Sequence, residues 1–186
     1  MGKTKQLLPF GDSTIIEQVV SNVLESEVSE TIVVLGHQAR RIFPRLADKP
    51  VKVLLNQDYR QGMGSSIKCG VDYTSETSDA IMIVLGDQPL INKETINKLV
   101  EELAKNRYGI VTPVYKGKKG HPVIFATKYK SELSELGGDA GAKKIIEAHP
   151  DDILEVAVDS ESIITDIDNE NDYRTHQGDA PQPGRL

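Results

Sequence analysis

The residue with the clearest chemical potential is Asp87, which directly follows a continuous apolar run from Ala80 to Gly86. Such a run is typical of a strand buried on both faces, as in a parallel sheet. The carboxyl ends of parallel strands form the crevice where ligands bind, and a carboxylate desolvated there needs a partner. A Mg²⁺ ion that carries a polyphosphate is one such partner. The alternative is that Asp87 only caps the turn before a helix beginning near Asn92.

A second group of carboxylates lies in the segment Asp166-Ile167-Asp168-Asn169. On an extended chain Asp166 and Asp168 point the same way, and paired carboxylates on one face are costly unless they are solvated or metal-bound. This segment is therefore a second candidate metal position, and we expect one of its carboxylates to approach Asp87 across a cleft and share one Mg²⁺. The alternative is an ordinary acidic turn that caps the helix following it.

Two further segments have residue types suited to an anion. Lys3 and Lys5 offer point charges for a polyanion near the amino terminus, although a solvated terminus has the same composition. Gly62 and Gly64 let backbone amides approach a ligand closely, and a serine at 65 or 66 then caps a helix. A glycine loop that opens onto a helix amino terminus is typical of sites for an anion or a polar ring. Helix capping alone would produce the same pattern.

The elements that position these residues alternate between strands and helices, which predicts an α/β fold with a mainly parallel mixed sheet and residues 80–86 at its centre. Strands are predicted over residues 31–36, 51–56, 80–86, 109–115, 121–125, 153–158 and 162–167, and helices over 15–24, 38–46, 92–105, 128–136 and 140–148.

Composition limits the class of protein. The length of 186 residues indicates one domain, and the net charge of −6 with a pI of about 5.3 argues against nucleic-acid and membrane partners. A single cysteine, Cys69, forms no internal disulfide and fits a reducing, cytoplasmic location. No apolar run spans a membrane, and no signal peptide is expected. Residues 176–186 are rich in Gly and Pro and are expected to form a flexible tail.

Six short motifs, in order over residues 1–175, resemble those of molybdenum cofactor cytidylyltransferases and other MobA-like NTP transferases. The motifs are Met1-Gly2 with Lys5, Leu7-Leu8-Pro9 and Gly11; Asn56 with Gly62-Met63, Ser66 and Gly70; Gly86-Asp87-Gln88-Pro89; Gly120-His121-Pro122; Gly138-Asp139 with Gly141-Ala142; and Asp166-Ile167-Asp168.

The resemblance implies a Rossmann-like three-layer nucleotidyltransferase fold over residues 1–175 that transfers CMP from CTP to a molybdopterin-type acceptor and releases pyrophosphate, with Mg²⁺ as cofactor. A molybdoenzyme or its chaperone is an implied partner. The implied roles are catalysis by Lys5 and Asp87; nucleotide binding by Gly2, Lys5, Gly62, Ser66 and Asp87; acceptor binding by Gly120, His121, Pro122 and Asp139; and metal binding by Asp87, Asp166 and Asp168.

The sequence departs from the family pattern at its start. In the family a strand and a glycine-rich loop of the type LAAGxSxR precede Met-Gly, whereas this sequence opens at Met1-Gly2. We therefore expect a gap in the sheet and poor turnover, which an added strand and loop should restore. Two alternatives stay open: a nucleotidyltransferase that uses GTP or another small phosphate acceptor, and a non-catalytic nucleotide- or cofactor-binding protein.

Overall fold

Strands and helices alternate along the chain, as the hydrophobic pattern predicts, in a computed structural model that describes residues 4–139, 141–167, 170–176 and 178. The strands are β1 (Pro9–Phe10), β2 (Ser13–Thr14), β3 (Ile32–Leu35), β4 (Lys52–Leu55), β5 (Ala80–Ile83), β6 (Ile110–Tyr115), β7 (Lys118–Lys119), β8 (Val123–Ala126) and β9 (Ile153–Ala157). The helices are α1 (Ile15–Leu24), α2 (Ala39–Ile42), α3 (Met63–Val71), α4 (Lys93–Lys105), α5 (Lys130–Ser134), α6 (Lys143–Ala148) and α7 (Glu170–His176).

The strands form a mixed five-stranded sheet, a parallel pair and a short hairpin. The larger sheet has the order β5-β8-β6-β7, and β9 also pairs with β6; β3 pairs with β4, and β1 with β2. The α/β class and the mixed sheet are confirmed, but within the five-stranded sheet only β6 and β9 pair in parallel. The chain reverses at Lys116 and Gly117, whose φ values of 47° and 78° suit a tight hairpin, and β7 and β8 therefore return antiparallel to β6.

The strand predicted to be central lies at an edge. β5 pairs with β8, and β3 with β4, and within the described ranges neither β5 nor β3 has a second strand partner. The open edges of β3 and β5 line one cleft of about 1390 Å³. The prediction of a central position for residues 80–86 was therefore wrong, while the expected interruption of the sheet is present. Asp87 lies beyond the carboxyl end of β5, as predicted.

Helices cover both faces of the strands. On one face, α1 places Ile16 and Val20 in one apolar cluster with Leu35 of β3. On the other face, Val71 at the end of α3 joins Phe125 of β8 in the largest apolar cluster. The backbone amide and hydroxyl of Thr14 bond to the Glu17 carboxylate at 3.0 and 2.6 Å, so Thr14 caps the amino end of α1.

The segment after β9 differs from its prediction. Residues 162–167 were expected to form a strand, but Glu161–Ile164 is a 3₁₀ helix, because the Ser160 hydroxyl accepts a hydrogen bond from the Ser162 amide and starts a turn. The predicted tail, residues 176–186, lies outside the described residues except for His176 and Gly178. Within the ranges that the structure describes, every helix is too short or too polar to cross a bilayer.

Candidate active site

Lys5 and Asp87, the two residues predicted to be catalytic, form an ion pair. The Lys5 Nζ lies 2.5 Å from the Asp87 Oδ2, and the two side chains are 26% and 19% exposed. A short 3₁₀ helix, Lys5–Leu7, holds the lysine in place. The neighbouring Thr4 hydroxyl bonds to the Gln38 side chain, which ties this segment to the start of α2. A cation thus already balances the Asp87 carboxylate, as burial of a charge requires.

The Asp166 segment adjoins Asp87. The Ile167 amide donates a hydrogen bond of 3.1 Å to the Asp87 carbonyl oxygen. Next to it, the Gln88 Nε2 donates to the Asp166 Oδ1 at 2.7 Å, from a side chain that is only 2% exposed. Two segments distant in sequence therefore meet at one place. Asp168 and Gly2, which were also predicted at the site, lie outside the described residues.

The Gly120-His121-Pro122 segment also lies beside Asp87 and Asp166. The His121 amide donates to the Ile163 carbonyl at 2.9 Å. Burial lowers the pKa of the His121 imidazole, against the opposing effects of a hydrogen bond to the Ile83 backbone and of the Asp166 and Asp87 carboxylates. The ring is therefore neutral near pH 7. The resemblance placed this segment near the acceptor, and the structure places it beside the predicted metal carboxylates.

Two buried polar atoms at this place have no hydrogen-bond partner within the described part of the chain. They are the Gln88 Oε1 and the His121 Nδ1. Buried polar atoms in folded proteins are nearly always paired, and an exception calls for an explanation such as a ligand or an ion. Both atoms belong to residues that adjoin the Asp87 and Asp166 carboxylates, so they add polar positions to the candidate site.

The glycine loop contacts the Asp139 segment. The Gly64 amide donates to the Gly138 carbonyl at 2.9 Å. A Cβ added at Gly64 would lie 2.8 Å from the Gly137 nitrogen, and one added at Gly62 would lie 2.3 Å from the Asp139 Oδ1. The backbones can approach this closely only without side chains, and Gly62 also has a φ of 99°. The segments predicted to bind the base and the acceptor therefore touch each other.

A hydrogen bond from the Asn56 side chain orients the Ser66 hydroxyl. The Asn56 Nδ2 donates to the Ser65 and Ser66 hydroxyl oxygens at 2.9 and 3.0 Å, from a side chain 5% exposed. The expectation that a serine caps α3 was wrong, because the helix begins at Met63 with Gly62 preceding it. Ser66 instead lines the large cleft, which Lys5 and Gly86 also line.

Sequence reasoning gave no role to Gln88 or Asn56, although both stand in the quoted motifs. Their positions could have predicted a role at the site, because each is a polar residue that follows an apolar strand segment at its carboxyl end, as Asp87 does. In α/β folds such positions face the ligand crevice.

The contact between Gly64 and Gly137 predicts that alanine substitutions at these two positions differ in their effect on stability. Gly64→Ala places a methyl group against the Gly137 backbone, so we expect the free energy of unfolding to fall by about 1–3 kcal/mol. Gly137→Ala is the matched control, because a Cβ there meets nothing within 4 Å. Urea unfolding of both variants measures the difference. Equal stabilities would show that the two segments are not packed as described.

Carboxylates and a glycine loop that follow strand ends, with a lysine beside them, have the arrangement typical of a ligand site in an α/β fold. Residues 1–153 match the MobA-like NTP transferase domain, and the chain belongs to that family. It is therefore a protein of the nucleotidyltransferase type, and the resemblance identified from the motifs is confirmed.

Two curated relatives align with nearly the whole chain. Nicotine blue oxidoreductase of Paenarthrobacter nicotinovorans is 29% identical over 180 residues, which cover 91% of this chain and 86% of the relative. Molybdenum cofactor cytidylyltransferase of Escherichia coli K12 is 24% identical over 176 residues, which cover 94% and 88%. The names of the two relatives describe different reactions.

Among solved structures, Rv0371c of Mycobacterium tuberculosis H37Rv superposes with a TM-score of 0.86 at 25% identity, covering 96% of this chain and 91% of that one. The same protein in complex with manganese gives a TM-score of 0.84 at 26% identity, covering 95% and 93%. A related protein of the same fold therefore binds manganese.

Proposed function

We propose that this chain transfers CMP from CTP to a molybdopterin-type phosphate acceptor and releases pyrophosphate. The observation that carries the proposal is the meeting of Lys5, Asp87 and Asp166 in a member of the NTP transferase family. In this reaction an oxygen of the acceptor phosphate forms a bond to the α-phosphorus of CTP. The bond from that phosphorus to the bridging oxygen breaks, and pyrophosphate takes the electron pair.

The carboxylates suit a hard divalent cation such as Mg²⁺. Within the described ranges no three His, Cys, Asp or Glu side chains are grouped as a metal site. Mg²⁺ needs only one or two carboxylates, since substrate phosphates and water fill its other positions. Asp87 and Asp166 would supply those oxygens, with Asp168 as a third candidate. Once bound, the ion would neutralise charge on the phosphates.

Lys5 would bind the triphosphate. Its ammonium now lies on the Asp87 carboxylate, both side chains are partly exposed, and Lys5 lines the large cleft. Arrival of a cation at Asp87 would leave the lysine charge for a phosphate oxygen, where a compact ammonium binds as a point charge. Placing that charge before reaction stabilises the negative charge that develops on the leaving pyrophosphate.

Gly120, His121 and Pro122 would contact the acceptor. Asp139, which lies against Gly62 of the glycine loop, would also contact it. Neutral His121 leaves its Nδ1 available to a polar group of the acceptor, because that atom has no partner in the described structure. The Gly120 position excludes any side chain, since a Cβ there would lie 2.1 Å from the Ile163 carbonyl oxygen. The segment is therefore held rigidly against the Asp166 side of the site.

Pyrophosphate release with CTP and Mg²⁺, measured with molybdopterin-type cofactor and with simple sugar phosphates as acceptors, tests the proposal. Formation of the cytidine dinucleotide product supports it. Turnover only with another phosphate acceptor would show that the chain has a different nucleotidyltransferase activity. Tight CTP binding without pyrophosphate release under any condition would favour a non-catalytic binding protein.

We expect CTP to bind more tightly than GTP. The motive is the Gly62-Met63 loop with Ser66 and Gly70, which resembles that of the cytidylyl branch and would suit a small pyrimidine ring. The Ser66 hydroxyl, oriented by Asn56, would contact the edge of the base. Calorimetric titration of both nucleotides with Mg²⁺ measures the ratio of dissociation constants. Equal or reversed affinities would exclude this assignment of the base.

An oxidoreductase is the second candidate function. It is favoured by one observation, the 29% identity to nicotine blue oxidoreductase, which exceeds the 24% to the cytidylyltransferase. The two candidates are separable because only the transferase consumes a nucleoside triphosphate. A change in nicotine blue absorbance that needs an added hydride donor but no CTP, together with no pyrophosphate release, would favour the oxidoreductase.

A further inference from the structure

The Gln88 side chain is buried beside two carboxylates, with its donor end paired and its acceptor end unpaired. It is 2% exposed, and its Nε2 donates to the Asp166 Oδ1 at 2.7 Å. Its Oε1 has no hydrogen-bond partner among the described residues. An unpaired buried acceptor costs free energy that an apolar side chain of the same length would not cost. Packing alone therefore does not explain a carboxamide at this position.

The turn that carries Gln88 is fixed to α1. The Asn22 Nδ2 donates to the Pro89 carbonyl at 2.9 Å and to the Ile91 carbonyl at 2.8 Å. The Ile91 amide bonds in turn to the Gln88 carbonyl at 3.4 Å. The Gln88 side chain is thus held in place before a ligand arrives, and binding need not order a long flexible side chain.

Asp166, by contrast, lies in a segment without regular secondary structure. Residues 165–167 join the preceding 3₁₀ helix to α7. The backbone is anchored at the next residue, because Ile167 is fully buried and its amide bonds to the Asp87 carbonyl at 3.1 Å. That anchor sets the position of the segment but not the rotation of the Asp166 side chain. The bond from Gln88 supplies a second anchor, at the carboxylate itself.

The neutral charge of this donor matters at a cation site. Asp87 is paired with the Lys5 ammonium, which balances its charge, so the lysine has to leave when a cation arrives. The Gln88 amide instead fixes the Asp166 carboxylate without cancelling its negative charge. An ionised carboxylate has about four acceptor positions on its two oxygens. Asp166 can therefore bind a cation while it keeps the hydrogen bond from Gln88.

We propose that Gln88 is a positioning residue that orients the Asp166 carboxylate for a divalent cation. Metal ligands in proteins commonly carry such an outer hydrogen-bond partner, which fixes their orientation. The inference rests on the proposed function, because it takes Asp166 as a ligand of the cation. It adds that the bond from the Gln88 Nε2 persists when the cation is bound, whereas the ion pair between Lys5 and Asp87 opens.

Mn²⁺ binding to the full chain without nucleotide, measured from the electron paramagnetic resonance of free Mn²⁺, tests the proposal. Gln88→Met keeps the length of the side chain and removes both polar ends. It should raise the dissociation constant of Mn²⁺ by about 10-fold or more, as loss of an outer partner typically does. The midpoint of thermal unfolding should change little, because an unpaired buried acceptor is lost together with the hydrogen bond. A purely structural role would lower the midpoint and leave the dissociation constant unchanged.

Two further variants complete the comparison. Gln61→Met is the matched control, because the Gln61 Nε2 also donates to a carboxylate, the Asp58 Oδ1 at 2.9 Å, but on an exposed side chain. It should leave the dissociation constant of Mn²⁺ unchanged. Asp166→Ala should weaken Mn²⁺ binding by itself. In that background Gln88→Met should add no further loss, because Gln88 acts through Asp166.

A measurement on the unaltered chain covers the case in which Gln88→Met does not fold. The Gln88 side-chain amide, followed by NMR, should exchange slowly with solvent, since it is buried and donates to a carboxylate. Addition of Mg²⁺ should shift its resonances and leave its exchange slow, because the bond to Asp166 persists. Fast exchange of this amide once Mg²⁺ is bound would overturn the proposal.

The outcomes separate this inference from the metal site on which it rests. Weaker Mn²⁺ binding in Gln88→Met, with no further loss in the Asp166→Ala background, supports it. If Asp166→Ala weakens binding but Gln88→Met does not, or if the two losses multiply, Gln88 does not act through Asp166 and only this inference is wrong. If Asp166→Ala leaves Mn²⁺ binding unchanged, Asp166 is not a ligand, and the proposed metal site fails together with the inference.

Discussion

Asp87→Asn is expected to lower the rate of pyrophosphate release by at least about 10²-fold. The substitution keeps the size of the side chain and removes the charge that would hold the divalent cation beside the phosphates. Loss of one preorganised electrostatic contact at a reacting centre costs about 10²–10³-fold in rate. The ion pair with Lys5 is partly exposed, so its loss should change the free energy of unfolding by no more than about 1 kcal/mol.

Asp79→Asn is the matched control for Asp87. Asp79 is an exposed carboxylate at the amino end of the same strand, and it should be replaced without loss of activity. Steady-state pyrophosphate release at saturating CTP, with thermal unfolding as a check of folding, compares the two variants. A fully active Asp87→Asn enzyme would remove Asp87 from the metal site and with it the main support for the proposed chemistry.

Lys5→Met is expected to reduce kcat/KM for CTP by about 10²-fold. Methionine preserves most of the apolar stem and deletes the ammonium that would bind the triphosphate. Because the charge on the leaving pyrophosphate increases during the reaction, the loss should appear in kcat as well as in KM. Lys5→Arg should recover part of the activity, since the charge returns with a different shape.

Lys93→Met serves as the control for Lys5. Lys93 also pairs with a carboxylate, Glu25 at 3.5 Å, but both of those side chains are well exposed, at 46% and 62%. Its replacement should leave kcat/KM unchanged. If Lys5→Met raised KM alone and left kcat intact, the lysine would contribute only uniform binding. If neither constant changed, the assignment of Lys5 to the triphosphate would be wrong.

The double variant of Lys5 and Asp87 adds an independent check. The two side chains are in contact, and substitutions of residues that act as a unit are strongly non-additive. We expect Lys5→Met combined with Asp87→Asn to be about as slow as the worse single variant. Multiplied losses would indicate that the two residues act at separate steps.

The sequence by itself determined where most of the strands and helices lie. Ile32–Leu35 and Lys52–Leu55 are strands because their apolar runs stop at turn residues, and Asn92 begins α4 because its side chain accepts the Thr95 amide. The placement of Asp87 beyond a strand followed from the same rule. These features depend on neighbours within a few residues, so a single sequence contains the information.

Pairing between distant segments was decided only by the tertiary structure. Nothing local shows that β8 would return beside β5 and that the other edge of β5 would have no strand partner among the described residues. The Gln88 bond to Asp166 and the neutral state of His121 depend on which surfaces bury them, not on their own spacing. Hydrophobic periodicity tells which face of a strand is buried, whereas strand order depends on contacts between segments that are far apart in the chain.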